Sequence, residues 1–187
     1  LGYAYGGTFG FTKTGSGTLA LQSPGNNFTS TVTIADGILR AGGANAFSMN
    51  SNINVGAAGA LDVNGFSEVV GSLNGTGFVI NTSNTSGTLR AGFNNTSTVF
   101  SGTFGSANQL SSSFNLEKIG SGNLSITSAS GSNTSLLGTM SVSQGSLTLS
   151  GAGSTKFGSY TILGGGSLTL DNTGASLSNR LGGGTPQ

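Results

Sequence analysis

The pentapeptide GSLTL occupies residues 145–149 and returns unchanged at residues 166–170. In each copy two leucines alternate with polar residues, so one side of the segment is apolar and the other polar, as in a short half-buried strand. A strand of this kind that returns unaltered so soon along the chain indicates a structure built from stacked repeats.

The same Gly-x-Leu-x-apolar unit recurs along the chain, at intervals of about 20 to 23 residues near the two ends. Its first leucine is Leu19, Leu39, Leu61, Leu124, Leu147 or Leu168. The middle is less regular, although GTLRAG at 87–92 repeats GILRAG at 37–42. Such short strands cannot bury an apolar side alone, but stacked parallel rungs can.

We therefore predict an all-β fold, a parallel β-helix (β-solenoid) with rungs of about 20–23 residues. About nine turns at roughly 4.8 Å each would give a column about 40 Å tall. An antiparallel sandwich or meander also has short strands separated by turns, but neither requires a recurring unit of this length.

The composition excludes several functions. Gly 35, Ser 30, Thr 23 and Asn 18 together make more than half of the 187 residues, and charged residues make only 6%. Because His and Cys are absent, disulfides, thiolate or imidazole metal sites and His- or Cys-based catalysis are excluded. A net charge of +1 gives no electrostatic attraction for nucleic acid or an anionic membrane. We expect no cofactor.

The whole chain is predicted to be one solenoid segment. Residues 1–12 form an aromatic start, residues 13–174 form the rungs, and residues 175–187 form a polar tail. No apolar run approaches the roughly 18 residues of a membrane helix, so we expect no membrane insertion by this segment. Leu1 does not begin a signal peptide, and we expect a mature or excised part of an exported protein.

Several longer phrases resemble the autotransporter-associated β-strand repeat, also called the passenger-associated transport repeat, of bacterial secreted and surface proteins. They are KTGSGTLALQ (13–22), GNNFTSTVTIADGILRAGG (25–43), LDVNGFSEVVGSLNGTG (61–77), GFNNTSTVFSGTF (92–104) and LEKIGSGNLSIT (116–127). The resemblance implies a right-handed parallel β-helix in a protein at the cell surface or secreted from the cell. It carries no catalytic residues.

Few residues offer catalytic chemistry. Asp36 and Asp62 are separated by about one rung of sequence, and carboxylates roughly 5 to 9.5 Å apart are what a glycosidase needs. Sugar-binding charged and aromatic neighbours are missing from the sequence around them, so we favour turn and surface roles. The catalytic site prediction is therefore none.

Repeated cations are interpreted as surface residues. Arg40 and Arg90 occupy the same place in two LRAG phrases. Binding of an acidic sugar is one interpretation, but we favour solvated residues that discourage edge-to-edge pairing. Lys13 and Lys118 each precede a Gly-Ser-Gly phrase. We expect both to be solvated in equivalent corners of the solenoid.

The aromatic residues divide into two groups. The alternating residues at the start are candidates for self-association: Leu1, Tyr3, Tyr5, Phe9 and Phe11. The four aromatic ones could form a carbohydrate-binding strip, but we favour packing over or beside the first rung. Seven further phenylalanines are expected in the core or as corner plugs: Phe28, Phe47, Phe66, Phe93, Phe100, Phe104 and Phe114.

The favoured function is a non-catalytic extracellular structural module, either a stiff stalk or passenger segment or a self-stacking fibre subunit. We find neither an amphipathic helix nor a charged cap at either end, and an uncapped solenoid favours stacking or continuation into a longer array. The alternatives are an adhesin that binds glycan or a host surface protein, and, more remotely, a polysaccharide-active enzyme.

Overall fold

The computed structural model describes residues 6–105, 113–127, 136–174 and 180–181. This part of the chain contains strands and turns but no helix, and its strand pairs are parallel. The strands are β1 Gly6–Gly7, β2 Thr12–Lys13, β3 Thr18–Leu21, β4 Asn27–Phe28, β5 Val32–Ala41, β6 Asn52–Asp62, β7 Ser67–Val70, β8 Ser72–Gly75, β9 Phe78–Ile80, β10 Gly87–Ala91, β11 Thr98–Phe100, β12 Thr103–Phe104, β13 Phe114–Lys118, β14 Asn123–Ile126, β15 Leu136–Leu149 and β16 Phe157–Leu170. Leu1, Tyr3, Tyr5 and most of the predicted polar tail lie outside the described residues.

Apart from β1 and β4, which pair with each other in a separate two-stranded sheet, the strands stack into three faces of a β-solenoid of about 7 turns, fewer than the nine predicted. Face 1 holds β2, β8, β11 and β14, face 2 holds β3, β9 and β12, and face 3 holds β7, β10 and β13. Long strands bend through a corner and join two faces. Strands β5 and β6 belong to faces 1 and 2, whereas β15 and β16 belong to faces 3 and 1.

The register gives the rung lengths. Val55 lies opposite Ile34 and Gly75, so each of these two rungs is about 20 residues long, within the predicted range. Phe100 lies opposite Gly75 and Ile126, so each of the two central rungs is longer, about 25 residues. In the first of these rungs the extra residues lie in the long corners 81–86 and 92–97. Longer rungs account for the irregular middle of the sequence and the smaller number of turns.

The recurring unit changes face between the two ends of the molecule. Leu19, Leu39 and Leu61 form one column on face 2. Leu124, Leu147 and Leu168 form a column on face 1. The same sequence unit therefore specifies a stacked strand, but it does not specify which side of the solenoid that strand occupies.

The core is a narrow column of apolar side chains that point inward from all three faces. Ile34, Leu39, Leu61, Leu89 and Leu147 are fully buried. Each such side chain contributes about 1.5–3 kcal/mol through burial. Phenylalanines widen the core in the central rungs, where ring centroids lie 4.9 Å apart for Phe100 and Phe104 and 6.1 Å apart for Phe104 and Phe114.

Glycines form the bends within the long strands. Gly37 bends β5 at a φ of 68° and Gly145 bends β15 at a φ of 65°, a left-handed conformation that glycine adopts without steric cost. A Cβ at Gly37 would collide with the carbonyl oxygens of Gly15 and Gly17, and one at Gly145 with those of Gly120 and Gly122. Neither glycine can therefore be replaced by a larger residue without displacing these carbonyl groups.

Candidate functional site

The two aspartates proposed as a glycosidase pair do not lie together. Asp36 is opposite Ala58, whereas Asp62 is opposite Arg40. The two positions are thus offset by four residues along the strand, with the bend at Gly37 between them. The interval from Asp36 to Asp62 overshoots the step of one rung, which instead relates Arg40 to Asp62, so the register does not support the disfavoured carboxylate pair.

Asp62 instead belongs to a polar cluster with Arg40 and Thr82, called here the first arginine cluster. Its Oδ2 accepts hydrogen bonds from Arg40 Nε at 2.7 Å and from Thr82 Oγ1 at 2.6 Å. Its Oδ1 accepts the backbone N–H groups of Asn64 and Thr82 at 2.9 and 3.1 Å. The expected surface role of Asp62 was wrong, because its side chain is fully buried. Both of its oxygens accept two donors, so the carboxylate is fully used in holding three rungs together.

A second arginine cluster repeats this arrangement with Arg90, Glu117 and Ser143. Arg90 Nε donates to Glu117 Oε2 at 2.8 Å, and Ser143 Oγ donates to Glu117 Oε1 at 2.6 Å. Arg40 lies on β5 between β3 and β6, and Arg90 lies on β10 between β7 and β13. The expectation that these arginines guard sheet edges was wrong, because both lie inside the sheets and pair with carboxylates of the next rung.

A groove adjoins the second cluster at the corner between faces 3 and 1. It is lined by Arg90, Phe93, Asn95, Glu117, Ile119, Gly120, Ser143 and Gln144 and has a volume of about 610 Å³. Phe93 is 46% exposed, so the prediction that it lies in the core or plugs a corner was wrong. Phe28, Phe47, Phe100, Phe104 and Phe114 are buried as predicted, and Phe66 packs against the core.

Glu68 is a buried acid to which the sequence analysis gave no role. It occupies the inward column of face 3, opposite Leu89, and is fully buried. Its Oε2 accepts the backbone N–H of Phe47 at 2.8 Å, while Oε1 has no hydrogen-bond partner. Burial raises the pKa of Glu68 to about 7 against the opposing effect of backbone N–H groups from Asn45 to Phe47. The signal in the sequence was its place in the alternating series Phe66, Glu68 and Val70, where an inward-facing apolar residue is expected.

The two repeated lysines are buried, so the expectation of solvated side chains was wrong. Lys13 Nζ donates to the carbonyl oxygens of Thr14, Gly15 and Asp36. Lys118 Nζ donates to those of Ile119, Gly120 and Gln144. In each case the ammonium group lies inside a corner and bonds to the backbone of its own rung and the next, which satisfies carbonyls that a tight glycine turn leaves unpaired.

The corners that hold Lys13 and Lys118 make similar hydrogen bonds but lie between different faces of the solenoid. Lys13 ends β2 on face 1 and precedes a turn to face 2, whereas Lys118 ends β13 on face 3 and precedes a turn to face 1. Lys118 is opposite Ala91, whose small side chain leaves room for the aliphatic stem. Burial lowers the pKa of Lys118 to about 8, while the three carbonyl acceptors favour its charged form.

One complete rung and the beginning of the next contain the corner of Lys13, the bend at Gly37 and the strand of Arg40. The sequence of this unit matches the model of one protein family. Residues 11–41 match the passenger-associated-transport-repeat family. The match confirms the resemblance for this segment, about a sixth of the chain, and the family is a structural repeat of autotransporter passenger domains. No curated protein and no solved structure matches the chain.

The matched transport repeat also forms one end of the described solenoid. Phe9, Phe11, Leu19, Leu21 and Phe28 line an apolar cavity of about 310 Å³ at this end. The Phe11 and Phe28 rings meet edge to face with centroids 5.6 Å apart. Phe11 thus packs beside the first rung, as predicted, while Phe9 remains 43% exposed.

The opposite end presents the last strand, β16, which pairs with β15 on one side. Ile162 lies opposite Val142 and Leu170 lies opposite Leu149. Val142 and Leu149 are fully buried, whereas Ile162 and Leu170 are 45% and 44% exposed. The apolar columns of the solenoid therefore extend to both ends of its described part.

The described residues contain no helix long and apolar enough to cross a membrane. Across the same ranges, no three His, Cys, Asp or Glu side chains group as a metal site.

Proposed function

We propose that this chain is a non-catalytic structural segment of an exported rod, and that copies of it stack end to end. The transport repeat supports a passenger-type role at the cell surface or in a secreted protein. The observation that carries the stacking proposal is the exposure of inward-facing apolar residues at both solenoid ends, in line with buried columns.

The two ends differ in shape, which favours contact between unlike ends. The first end is concave, with an apolar cavity bounded by Phe9, Leu19 and Phe28. At the other end, the side chains of Ile162 and Leu170 on the last described rung are partly exposed to solvent. A contact between unlike ends does not close on itself, so it adds subunits in one direction and produces filaments of constant width.

A non-enzymatic role agrees with the use of the charged groups. Asp62 is saturated by four donors, and Glu117 is bonded to Arg90 and Ser143. These carboxylates link neighbouring rungs, which is a structural task. Rigidity follows because each cluster connects three successive rungs.

Negative-stain electron microscopy of the purified chain at several concentrations tests the proposal. We expect filaments whose length grows with concentration. The double variant Ile162→Asp, Leu170→Asp places two charges on the last rung and should leave short isolated particles. Val99→Asp is the matched control, because Val99 is 51% exposed on the outer side of face 1, and it should still form filaments.

A wild-type chain that sediments as a monomer at every concentration would refute end-to-end stacking. Filaments that persist in the double variant would instead show that assembly uses the flanks of the solenoid.

A further inference from the structure

We infer that the groove beside the second arginine cluster binds a neutral saccharide. Three successive rungs contribute to it: Arg90, Phe93 and Asn95 from one, Glu117 from the next, and Ser143 and Gln144 from the third. Its volume of about 610 Å³ lies within the range of small-molecule sites in proteins.

The exposed ring of Phe93 supplies an apolar platform. The backbone N–H of Phe93 donates to Val70 O at 3.4 Å, and Gly92 and Asn95 on either side have φ values of 118° and 64°. The turn therefore holds the ring in water at a fixed place. The C–H groups on one side of a pyranose ring carry a small positive charge, and they pack favourably on the negative face of an aromatic ring.

The surrounding polar groups keep unused hydrogen-bonding capacity. Among the described residues, the terminal nitrogens of Arg90, the Asn95 Nδ2 and the side-chain amide of Gln144 have no partner. Each Glu117 oxygen accepts one hydrogen bond and has a second lone pair available. Planar guanidinium, amide and carboxylate groups bond neighbouring hydroxyls in pairs, which is the arrangement that a sugar offers.

Charge indicates that the saccharide is neutral. The positive charge of Arg90 is balanced by Glu117 at 2.8 Å, and the other polar side chains lining the groove are uncharged. Lys118 lies beneath the groove but is buried, and its ammonium protons are directed to three backbone carbonyls. A uronic or sialic acid would thus meet no unpaired cation and would face the Glu117 carboxylate.

The first arginine cluster serves as an internal comparison. Gly43 follows its LRAG phrase where Phe93 follows the second. Arg40 Nη2 donates to Thr82 at 3.2 Å, and Asp62 is buried with four donors. This cluster has neither an aromatic platform nor free acceptors, so it should not bind sugar.

The experiment is a glycan array probed with the purified chain, followed by saturation-transfer NMR and titration with the best neutral disaccharide. We expect binding to neutral hexose oligosaccharides and not to sialylated or uronic-acid glycans. Phe93→Ala and Gln144→Ala should each weaken binding at least tenfold, while Thr82→Ala in the first cluster should leave it unchanged. Thermal unfolding of each variant verifies that it is folded.

Absence of neutral-sugar binding would overturn the inference, as would a preference for acidic glycans. Binding that survives both Phe93→Ala and Gln144→Ala would also overturn it, because the sugar would then lie elsewhere. Filament formation is measured separately, so the inference and the stacking proposal can fail independently.

Discussion

The first and second arginine clusters are built from nearly the same phrase but end in different surfaces. In both, an arginine donates to a carboxylate of the next rung, and that carboxylate also accepts a hydrogen bond from a hydroxyl of the rung after it. The first lies on β5 and its carboxylate is buried, whereas the second lies on β10 and opens into a groove. The LRAG phrase therefore encodes a link between rungs, and the residue after it, Gly43 or Phe93, changes the surface that the corner presents.

The largest expected effect is the difference in stability between variants that lack the Asp62 carboxylate and variants that lack the Glu117 carboxylate. Asp62→Ala removes the acceptor of four donors in a buried site, and we expect a loss of about 3–4 kcal/mol in the free energy of unfolding. Glu117→Ala removes a partly exposed pair and should cost about 1 kcal/mol or less. Chemical denaturation of both variants measures the difference. Equal losses would show that burial does not distinguish the two clusters.

The second expected effect concerns Glu68, in the column that later rungs fill with Leu89 and Leu116. The folded chain keeps the Glu68 proton up to a pKa of about 7, against an ordinary value of 4.5. The folded state therefore binds more protons than the unfolded state between these values, and stability should fall by about 3 kcal/mol as pH rises from 4.5 to 7, then level off.

Glu68→Gln should remove this fall and make the chain more stable than wild type above pH 7. Denaturation at a series of pH values measures the slope, and NMR titration of the Glu68 carboxyl measures the pKa directly. A wild-type slope that persists in Glu68→Gln would assign the pH dependence to another group.

The smallest expected effect compares the two lysine corners. Lys118→Met keeps the aliphatic stem but leaves three buried carbonyls without their donor, and we expect a loss of about 2 kcal/mol at pH 7. Lys13 lies in the first rung and is slightly more exposed, so Lys13→Met should cost about 1 kcal/mol. Thermal unfolding of the pair gives the order, and a larger loss for Lys13 would contradict the burial argument.

The stacked strands were predictable because alternation and interval are local properties of the sequence. The leucines of the GSLTL copies lie in register, Leu147 opposite Leu168 and Leu149 opposite Leu170, as their spacing requires. The face that each unit occupies was not predictable, because it depends on how much of the chain the intervening corners consume. The longer central rungs, which meet at Phe100, illustrate this, because the first of them contains the long corners 81–86 and 92–97.

The burial of the side chains in the sites was harder to predict, because the usual exposure of each residue type did not hold there. Lysine is usually solvated, but at Lys118 a small neighbour, Ala91, and unpaired turn carbonyls supply the space and the acceptors. Phenylalanine is usually buried, but Phe93 follows a glycine that turns the chain outward. Both cases depend on contacts between rungs, which are distant in sequence.

The orientation of the strands has a mechanical consequence. Strands lie across the solenoid, so their hydrogen bonds point along its axis. Tension along this axis loads the bonds of all three faces at one rung boundary together, whereas a sideways pull at one corner loads them in succession. A rod of this design is strongest when drawn straight, and peeling begins at a terminal strand such as β3 or β16, each of which has a neighbouring strand on one side.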